Sequence, residues 1–170
     1  MLPANIILTG FMATGKSTLG RLLAKRLGYH FVDTDAEIEK RTGMRIDRIF
    51  ASQGEAVFRN LEKQLVRELA AGQEQVIATG GGLVMNPDNV TALEKNGRIV
   101  CLTAAPEDIL ARANAQRQTR PLLNSPDPQQ RIAELLAERT PIYRQFPQLD
   151  TSRLSREELV ESLLALLSVG

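Results

Sequence analysis

The chain has 170 residues, of which 43% are hydrophobic and 24% are charged, and its formal net charge is +1. This length and balance predict one globular α/β domain over residues 1–170 with a sizeable core. The near-neutral charge argues against a nucleic-acid partner. We expect neither export nor a membrane span, because no apolar run reaches 18 residues. The single cysteine, Cys101, is expected to be a buried core thiol, which suits the reducing cytoplasm.

The first predicted strand and helix enclose a phosphate-binding motif. The run Ile6-Ile7-Leu8 is typical of a buried strand, and the helical pattern that follows ends at Gly28. Residues 10–17 between them read Gly-Phe-Met-Ala-Thr-Gly-Lys-Ser and match the P-loop pattern G-x-x-x-x-G-K-[ST]. The flanking strand and helix favour a P-loop over a plain glycine turn. The predicted nucleotide contacts are Ala13, Thr14, Gly15, Lys16, Ser17 and Thr18.

The chemistry of this loop follows from its backbone. Its N–H groups and the N-terminus of the next helix form a binding site for phosphate. Lys16 is placed to reach the β- and γ-phosphates, and the Ser17 hydroxyl is placed to bind Mg²⁺. The motif therefore predicts a nucleotide site but leaves the reaction open.

A second short strand, Phe31-Val32, ends in Asp33-Thr34-Asp35. Three helices are predicted before the third strand, at about residues 36–41, 46–53 and 55–71. Three helices are more than a simple crossover needs. They predict a small inserted helical subdomain beside the sheet.

The second half of the chain continues the alternation of strands and helices. Strands are predicted at 76–78, 99–102 and 149–151, and helices at 87–95, 106–114, 129–146 and 156–167. The alternation predicts a three-layer α/β fold with a parallel sheet of about five strands and helices on both faces. Residues 115–128 are polar, punctuated by proline, and contain Arg117 and Arg120. They predict a lid at about 113–128, or else an ordinary surface connection.

Ligands of such sheets bind beyond the carboxyl ends of the strands. This rule places the P-loop, Asp33-Thr34-Asp35 and Gly80-Gly81-Gly82 at one edge of the molecule. One of the two aspartates could serve Mg²⁺ while the other orients an acceptor hydroxyl and takes its proton, or one could cap a helix. The glycine triplet would let a ligand ring approach the backbone closely, or be a flexible turn.

Arginines supply the positive charge of the predicted site. Arg59 could bind a carboxylate with both arms, but a solvated pair with Glu62 is the better interpretation from spacing alone. Arg120, on the predicted lid, could neutralise charge on the transferred phosphoryl group. Arg139 would by itself be assigned to the surface.

The ordered set of motifs resembles the shikimate kinase family over nearly the whole chain. The matching segments are the P-loop, 31–35, Phe58-Arg59 with Glu62, 80–82, Arg120-Pro121-Leu122-Leu123 and 139–143. The resemblance implies a P-loop fold like that of the nucleoside monophosphate kinases, with a core, a substrate-binding region at about residues 33–62 and a lid. It also implies transfer of the γ-phosphate of ATP to the 3-hydroxyl of shikimate, in chorismate and aromatic amino-acid biosynthesis.

The resemblance further implies roles for single residues on the acceptor side. Asp35 would contact the shikimate hydroxyls and act as the catalytic base. Arg59 and Arg139 would bind the shikimate carboxylate. The glycines that would line this substrate site are Gly80, Gly81 and Gly82.

On the donor side, the resemblance implies that Lys16 and Arg120 contact the ATP phosphates and take part in catalysis. Ser17 would bind Mg²⁺, with Asp33 acting through water. The arginine and proline that flank adenine in some family members match this chain less closely. The nearest candidates for adenine contacts are Arg112 and Arg153.

Two other classes of protein compete with this interpretation. A gluconate-type or other small-molecule kinase would share the fold, but the glycine triplet and the acidic and Arg-Pro-Leu-Leu segments count against it. A nucleotide-dependent switch or a non-catalytic relative is disfavoured because no guanine-reading Asn-Lys-x-Asp segment is present and both Lys16 and Asp35 are retained. We expect a cytoplasmic monomer that uses ATP, Mg²⁺ and shikimate.

Overall fold

The computed structural model describes residues 1–115 and 125–169, which form a five-stranded sheet between two layers of helices. The strands are β1 (Asn5–Gly10), β2 (His30–Asp33), β3 (Gln75–Ala78), β4 (Gly97–Thr103) and β5 (Gln148–Asp150). They lie in the order β2-β3-β1-β4-β5, and the four adjacent pairs are all parallel. The predicted α/β fold with a parallel sheet of five strands is confirmed.

The helices connect the strands in the predicted sequence. They are α1 (Lys16–Leu27), α2 (Thr34–Thr42), α3 (Ile46–Gln53), α4 (Glu55–Ala71), α5 (Pro87–Glu94), α6 (Pro106–Ala115), α7 (Pro128–Tyr143) and α8 (Arg156–Ser168). A short 3-10 turn, Leu83–Met85, follows the glycine triplet and was not predicted. Within residues 1–115 and 125–169, no helix is both long and apolar enough to span a bilayer. Most of the predicted lid, with Arg117 and Arg120, lies outside the described residues.

Each face of the sheet has its own hydrophobic core because successive side chains of a strand point to opposite faces. Ile7 of β1 packs in one core with residues of α2 to α7, and its neighbours Ile6 and Leu8 pack in the other with α1 and α8. A central strand buried on both faces is a continuous apolar run, as found at Ile6–Leu8. Ile38 and Phe58 belong to the same core as Ile7, so the helices between β2 and β3 are joined to the sheet.

The structure differs from the prediction where β2 ends. We expected Asp33-Thr34-Asp35 to end the strand and a helix to begin at Ala36, but α2 begins at Thr34. The reason is a cap: Asp33 Oδ1 accepts a hydrogen bond from the Ala36 N–H at 3.1 Å, which satisfies an otherwise unpaired group of the first turn. Asp35 therefore lies on the first turn of a helix, which fixes its direction more firmly than a strand end would.

Candidate active site

A cleft of about 1680 Å³ opens at the carboxyl ends of the strands. The P-loop and the start of α1 line one part of it, and the glycine triplet with residues of α2, α3, α4 and α7 lines another. The parallel topology thus brings together segments that are far apart in sequence. The cleft has the two halves that a donor and an acceptor molecule would require.

The P-loop adopts a backbone that only glycine fits at its first position. Gly10 has φ 132°, and a Cβ there would lie 2.2 Å from the carbonyl oxygen of Leu102 on the adjacent strand. Gly15 has φ 95° and immediately precedes α1. The Lys16 ammonium donates to the carbonyl oxygens of Gly10 and Phe11, each at 2.8 Å. These bonds hold the lysine charge across the loop, beside the N-terminus of α1.

Two oxygen ligands suited to a hard cation lie next to the loop. Ser17 Oγ donates a hydrogen bond to Asp33 Oδ2 at 2.5 Å, and both residues line the cleft. Mg²⁺ in phosphoryl-transfer sites is held by one or two protein oxygens, together with substrate phosphates and water. The Ser17–Asp33 pair fits that donor set. Asp33 Oδ1 also caps α2, so the capping role considered for this residue is confirmed, and its role in binding Mg²⁺ stays a prediction.

The glycine triplet after β3 forms a wall of the cleft that has no side chains. Three polar side chains lie so close to it that a Cβ would collide with them. Each glycine faces a different group. A Cβ on Gly80 would lie 2.7 Å from Asp35 Oδ1, one on Gly81 would lie 2.7 Å from Arg139 Nη1, and one on Gly82 would lie 2.6 Å from Arg59 Nη2. The structure therefore brings together all six residues predicted for the acceptor site, and the triplet is an ordered wall of the cleft.

Asp35 has an environment that disfavours its charge. Burial, reinforced by the nearby Asp33 carboxylate, raises the pKa of Asp35 from 3.8 to about 6, and the Lys16 ammonium opposes that rise. Among the described residues, its buried Oδ1 atom has no hydrogen-bond partner. An acceptor atom in this position suits a hydroxyl group of a bound molecule. The hydrogen bond from Ser17 to Asp33, two residues before Asp35, links the P-loop side of the cleft to this side.

Arg59 forms the pair with Glu62 that its spacing predicts, but the pair is not a solvated one. Arg59 Nη1 donates to Glu62 Oε1 at 2.6 Å, and Glu62 is only 1% exposed. Burial raises the pKa of Glu62 to about 7, although the attraction of Arg59 opposes this shift. The guanidinium also bonds Glu55 at 3.3 Å. Two carboxylates therefore hold the arginine against Gly82.

Arg139 lies on α7 with its guanidinium over the ring of Phe11, 5.8 Å from the ring centroid. One turn later, Tyr143 Oη donates a hydrogen bond to the carbonyl oxygen of Gly81 at 2.6 Å. Tyr143 was not predicted as a site residue. Its spacing of four residues from Arg139, on the same helix face, is the signal that could have revealed it.

The two arginines considered for adenine contacts lie in different places. Arg112 lines the cleft, where its Nη1 donates to the carbonyl oxygen of Ala13 at 3.1 Å. Arg153 is exposed in the turn between β5 and α8 and is not among the described residues that line the cleft. The lid arginine, Arg120, lies outside the described residues.

Comparison with known proteins identifies the family to which this fold belongs. A family model described as shikimate kinase matches residues 12–168. The shikimate kinase of Caldanaerobacter subterraneus is 47% identical over 161 residues, which cover 94% of this chain and 94% of that protein. The shikimate kinase of Thermodesulfovibrio yellowstonii is 44% identical over 161 residues, covering 94% of this chain and 92% of the relative.

Solved structures point the same way. The shikimate kinase of Acinetobacter baumannii in complex with shikimate has a TM-score of 0.91 at 38% identity, covering 99% of this chain and 94% of the other. A gluconokinase from Sinorhizobium meliloti, 17% identical with a TM-score of 0.61, shares the fold. Because the family model and the relatives cover nearly all of the sequence, the chain belongs to the shikimate kinase family.

Proposed function

We propose that this protein transfers the γ-phosphoryl group of ATP to the 3-hydroxyl of shikimate, giving shikimate 3-phosphate and ADP. The observation that carries the proposal is the glycine wall. Asp35, Arg59 and Arg139 each lie against a different glycine of this wall. The ring of shikimate can lie close against a backbone without side chains. Two guanidinium groups suit its carboxylate, and the Asp35 carboxylate suits its hydroxyl groups.

Asp35 is the proposed catalytic base. With a pKa of about 6, it is mostly ionised at neutral pH and is still basic enough to take a proton from an attacking alcohol. The bond between the alcohol oxygen and the γ-phosphorus forms while the bond from that phosphorus to the bridging oxygen breaks. The alcohol proton passes to Asp35, and ADP leaves with the bridging oxygen.

On the donor side, Lys16 and the P-loop backbone are proposed to bind the phosphates, and phosphoryl transfer depends mainly on such positioning and charge neutralisation. Ser17 would hold Mg²⁺ directly, and Asp33 would do so through water. When bound there, the ion would help to neutralise the negative charge of the phosphates. The roles of Arg120 as the lid arginine and of Arg112 and Arg153 near adenine also belong to the proposal and rest on the family resemblance.

A coupled assay of ADP release tests the substrate. Shikimate should support turnover, while gluconate and nucleoside monophosphates should not. Turnover with gluconate and none with shikimate would instead favour the gluconate-type kinase that shares this fold. The monomeric state and the cytoplasmic location stay predictions; light scattering behind a size-exclusion column tests the first and cell fractionation the second.

Replacement of the base tests the mechanism. Asp35→Asn should lower kcat about 10²- to 10⁴-fold and leave the far-UV circular dichroism spectrum unchanged. Asp88→Asn is a matched control, because Asp88 is exposed and bonded to Lys63 on the surface. Near-normal turnover of Asp35→Asn would remove Asp35 as the base and leave the assignment of substrates intact.

A further inference from the structure

Two consecutive carbonyl groups of the P-loop are held by a pair of side chains from distant parts of the chain. Thr151 Oγ1 donates to the carbonyl oxygen of Thr14 at 2.8 Å. Arg112 Nη1 donates to the neighbouring carbonyl oxygen, that of Ala13, at 3.1 Å. The pair is itself linked, since Arg112 Nη2 donates to the Thr151 carbonyl oxygen at 3.3 Å. We call Arg112 and Thr151 the P-loop clamp.

The clamp is anchored to the sheet through Thr151. This residue directly follows β5 and is 6% exposed. Its N–H donates to the carbonyl oxygen of Thr103, the last residue of β4, at 2.8 Å, and its hydroxyl lies 3.0 Å from the same oxygen. The hydroxyl therefore sits between the end of a rigid strand and the phosphate loop.

Fixing a carbonyl group also fixes the N–H on the other side of the same peptide. In a trans peptide the two groups point in opposite directions, and the described part of the chain has no cis peptide. The Ala13 carbonyl shares its peptide with the Thr14 N–H, and the Thr14 carbonyl shares its peptide with the Gly15 N–H. With both carbonyls drawn to the clamp, these two N–H groups point away from it. Neither donates a hydrogen bond within residues 1–115 and 125–169.

The loop needs such restraint because its backbone is unusual at this point. Ala13 has φ 60°, a left-handed conformation that residues with a Cβ rarely adopt. Thr14 is fully buried, and its own hydroxyl is bonded to the Phe11 carbonyl oxygen at 2.8 Å. The Thr14 side chain is therefore held by a bond within the loop itself. The orientation of the Ala13 and Thr14 carbonyl groups, in contrast, depends on the clamp.

We infer that Thr151 is a positioning residue for the nucleotide, acting with Arg112 to preset the N–H groups of Thr14 and Gly15 for phosphate. The inference rests on the proposed ATP site and names a residue for which the phosphate-loop motif has no counterpart. Donors that are already oriented bind without a cost of reorganisation. Loss of the Thr151 hydroxyl should therefore weaken nucleotide binding while shikimate binding, on the glycine wall, is retained.

Thr151→Val tests this by removing the hydroxyl while keeping the shape of the side chain. The dissociation constant of ADP, measured by titration calorimetry, and the KM for ATP should each rise about ten-fold. The KM for shikimate should stay within about two-fold. Thr151→Ser, which keeps a hydroxyl donor, should restore nucleotide binding. Thr91→Val is the matched control, because Thr91 is exposed on α5 and is not among the described residues that line the cleft.

Three results would overturn the inference: unchanged ADP binding in Thr151→Val, equal weakening in Thr151→Ser, or a parallel rise in both KM values. If Thr151→Val does not fold, as judged by its thermal transition, Thr151→Ala carries the same expectation. Failure of the proposed function would look different, because the unmodified protein would then not bind ADP or would not phosphorylate shikimate.

Discussion

Replacement of Arg59 by lysine separates the shape of its guanidinium from its charge. Arg59 bonds Glu62 at 2.6 Å, and its guanidinium lies against Gly82. An arginine can bond Glu62 with one arm and a substrate carboxylate with another, whereas lysine offers one compact charge. In Arg59→Lys the ammonium should stay with the buried Glu62, since an unpaired buried carboxylate is costly. The substrate would then lose a charge-assisted hydrogen bond.

The expected size of this loss follows from the exposure of Arg59. A hydrogen bond to a charged group contributes about 1.5–3 kcal/mol. The Arg59 side chain is 34% exposed, so solvent screening reduces this to roughly 1–2 kcal/mol. The KM for shikimate should rise about 5- to 30-fold, while the KM for ATP stays within about two-fold because Arg59 does not contact the P-loop in the described structure.

The assay is coupled ADP release with each substrate varied in turn. Arg41→Lys is the control, because Arg41 forms surface ion pairs with Glu37 and Glu68 and should change neither KM. The reasoning is refuted if Arg59→Lys leaves the KM for shikimate unchanged. It is also refuted if the KM for ATP rises as much, since that would indicate general distortion of the cleft.

Three further predictions use the same geometry. The folded-state pKa of Asp35 is raised from 3.8 to about 6. The contribution of its neutral carboxyl group to the free energy of unfolding is therefore complete below pH 3.8 and is lost as the pH rises through 6. Asp35→Asn should therefore be more stable than the unmodified protein by roughly 2 kcal/mol at pH 8, with no difference near pH 3 in urea titrations; equal stability at pH 8 would contradict this. Gly81→Ala places a Cβ 2.7 Å from Arg139 Nη1, so the KM for shikimate should rise about ten-fold with the KM for ATP unchanged, and an unchanged KM for shikimate would show that the arginine end moves freely. Gly10→Ala forces a Cβ to 2.2 Å from the Leu102 carbonyl oxygen at φ 132° and should lower the free energy of unfolding by about 3 kcal/mol; a native melting temperature would refute it.

Much of the fold could be predicted because the relevant signals are local. The apolar run at Ile6–Leu8 is continuous because β1 is buried on both faces. The glycines that end α1 and α2, Gly28 and Gly43, have left-handed backbones that favour glycine. The start of α2 was wrong by two residues because the Asp33 carboxylate caps the helix, and an aspartate before a helix does not reveal which following residue begins it.

The burial and the partners of the candidate-site side chains were harder to predict from sequence spacing. A solvated pair was the better interpretation of Arg59 and Glu62 from their spacing of three, and Arg139 would have been assigned to the surface. Burial of Glu62 beneath Arg59 depends on how α4 packs on the sheet. This packing cannot be inferred from the spacing of the two residues in the sequence. Tyr143 was missed for the same reason, because its partner, the Gly81 carbonyl, is 62 residues away.

The phosphate loop, the alternation of strands and helices, and the family could all be identified from the order of the residues. Each of these depends on residues close together in the chain or on an ordered set of short motifs. Two other features emerge only when the chain is folded: the three glycines of the triplet each face a different polar side chain, and Thr151, 137 residues away in the chain, bonds the Thr14 carbonyl. Such contacts arise when parallel strands bring their carboxyl ends to one edge of the sheet, so the packing of the whole chain sets their distances.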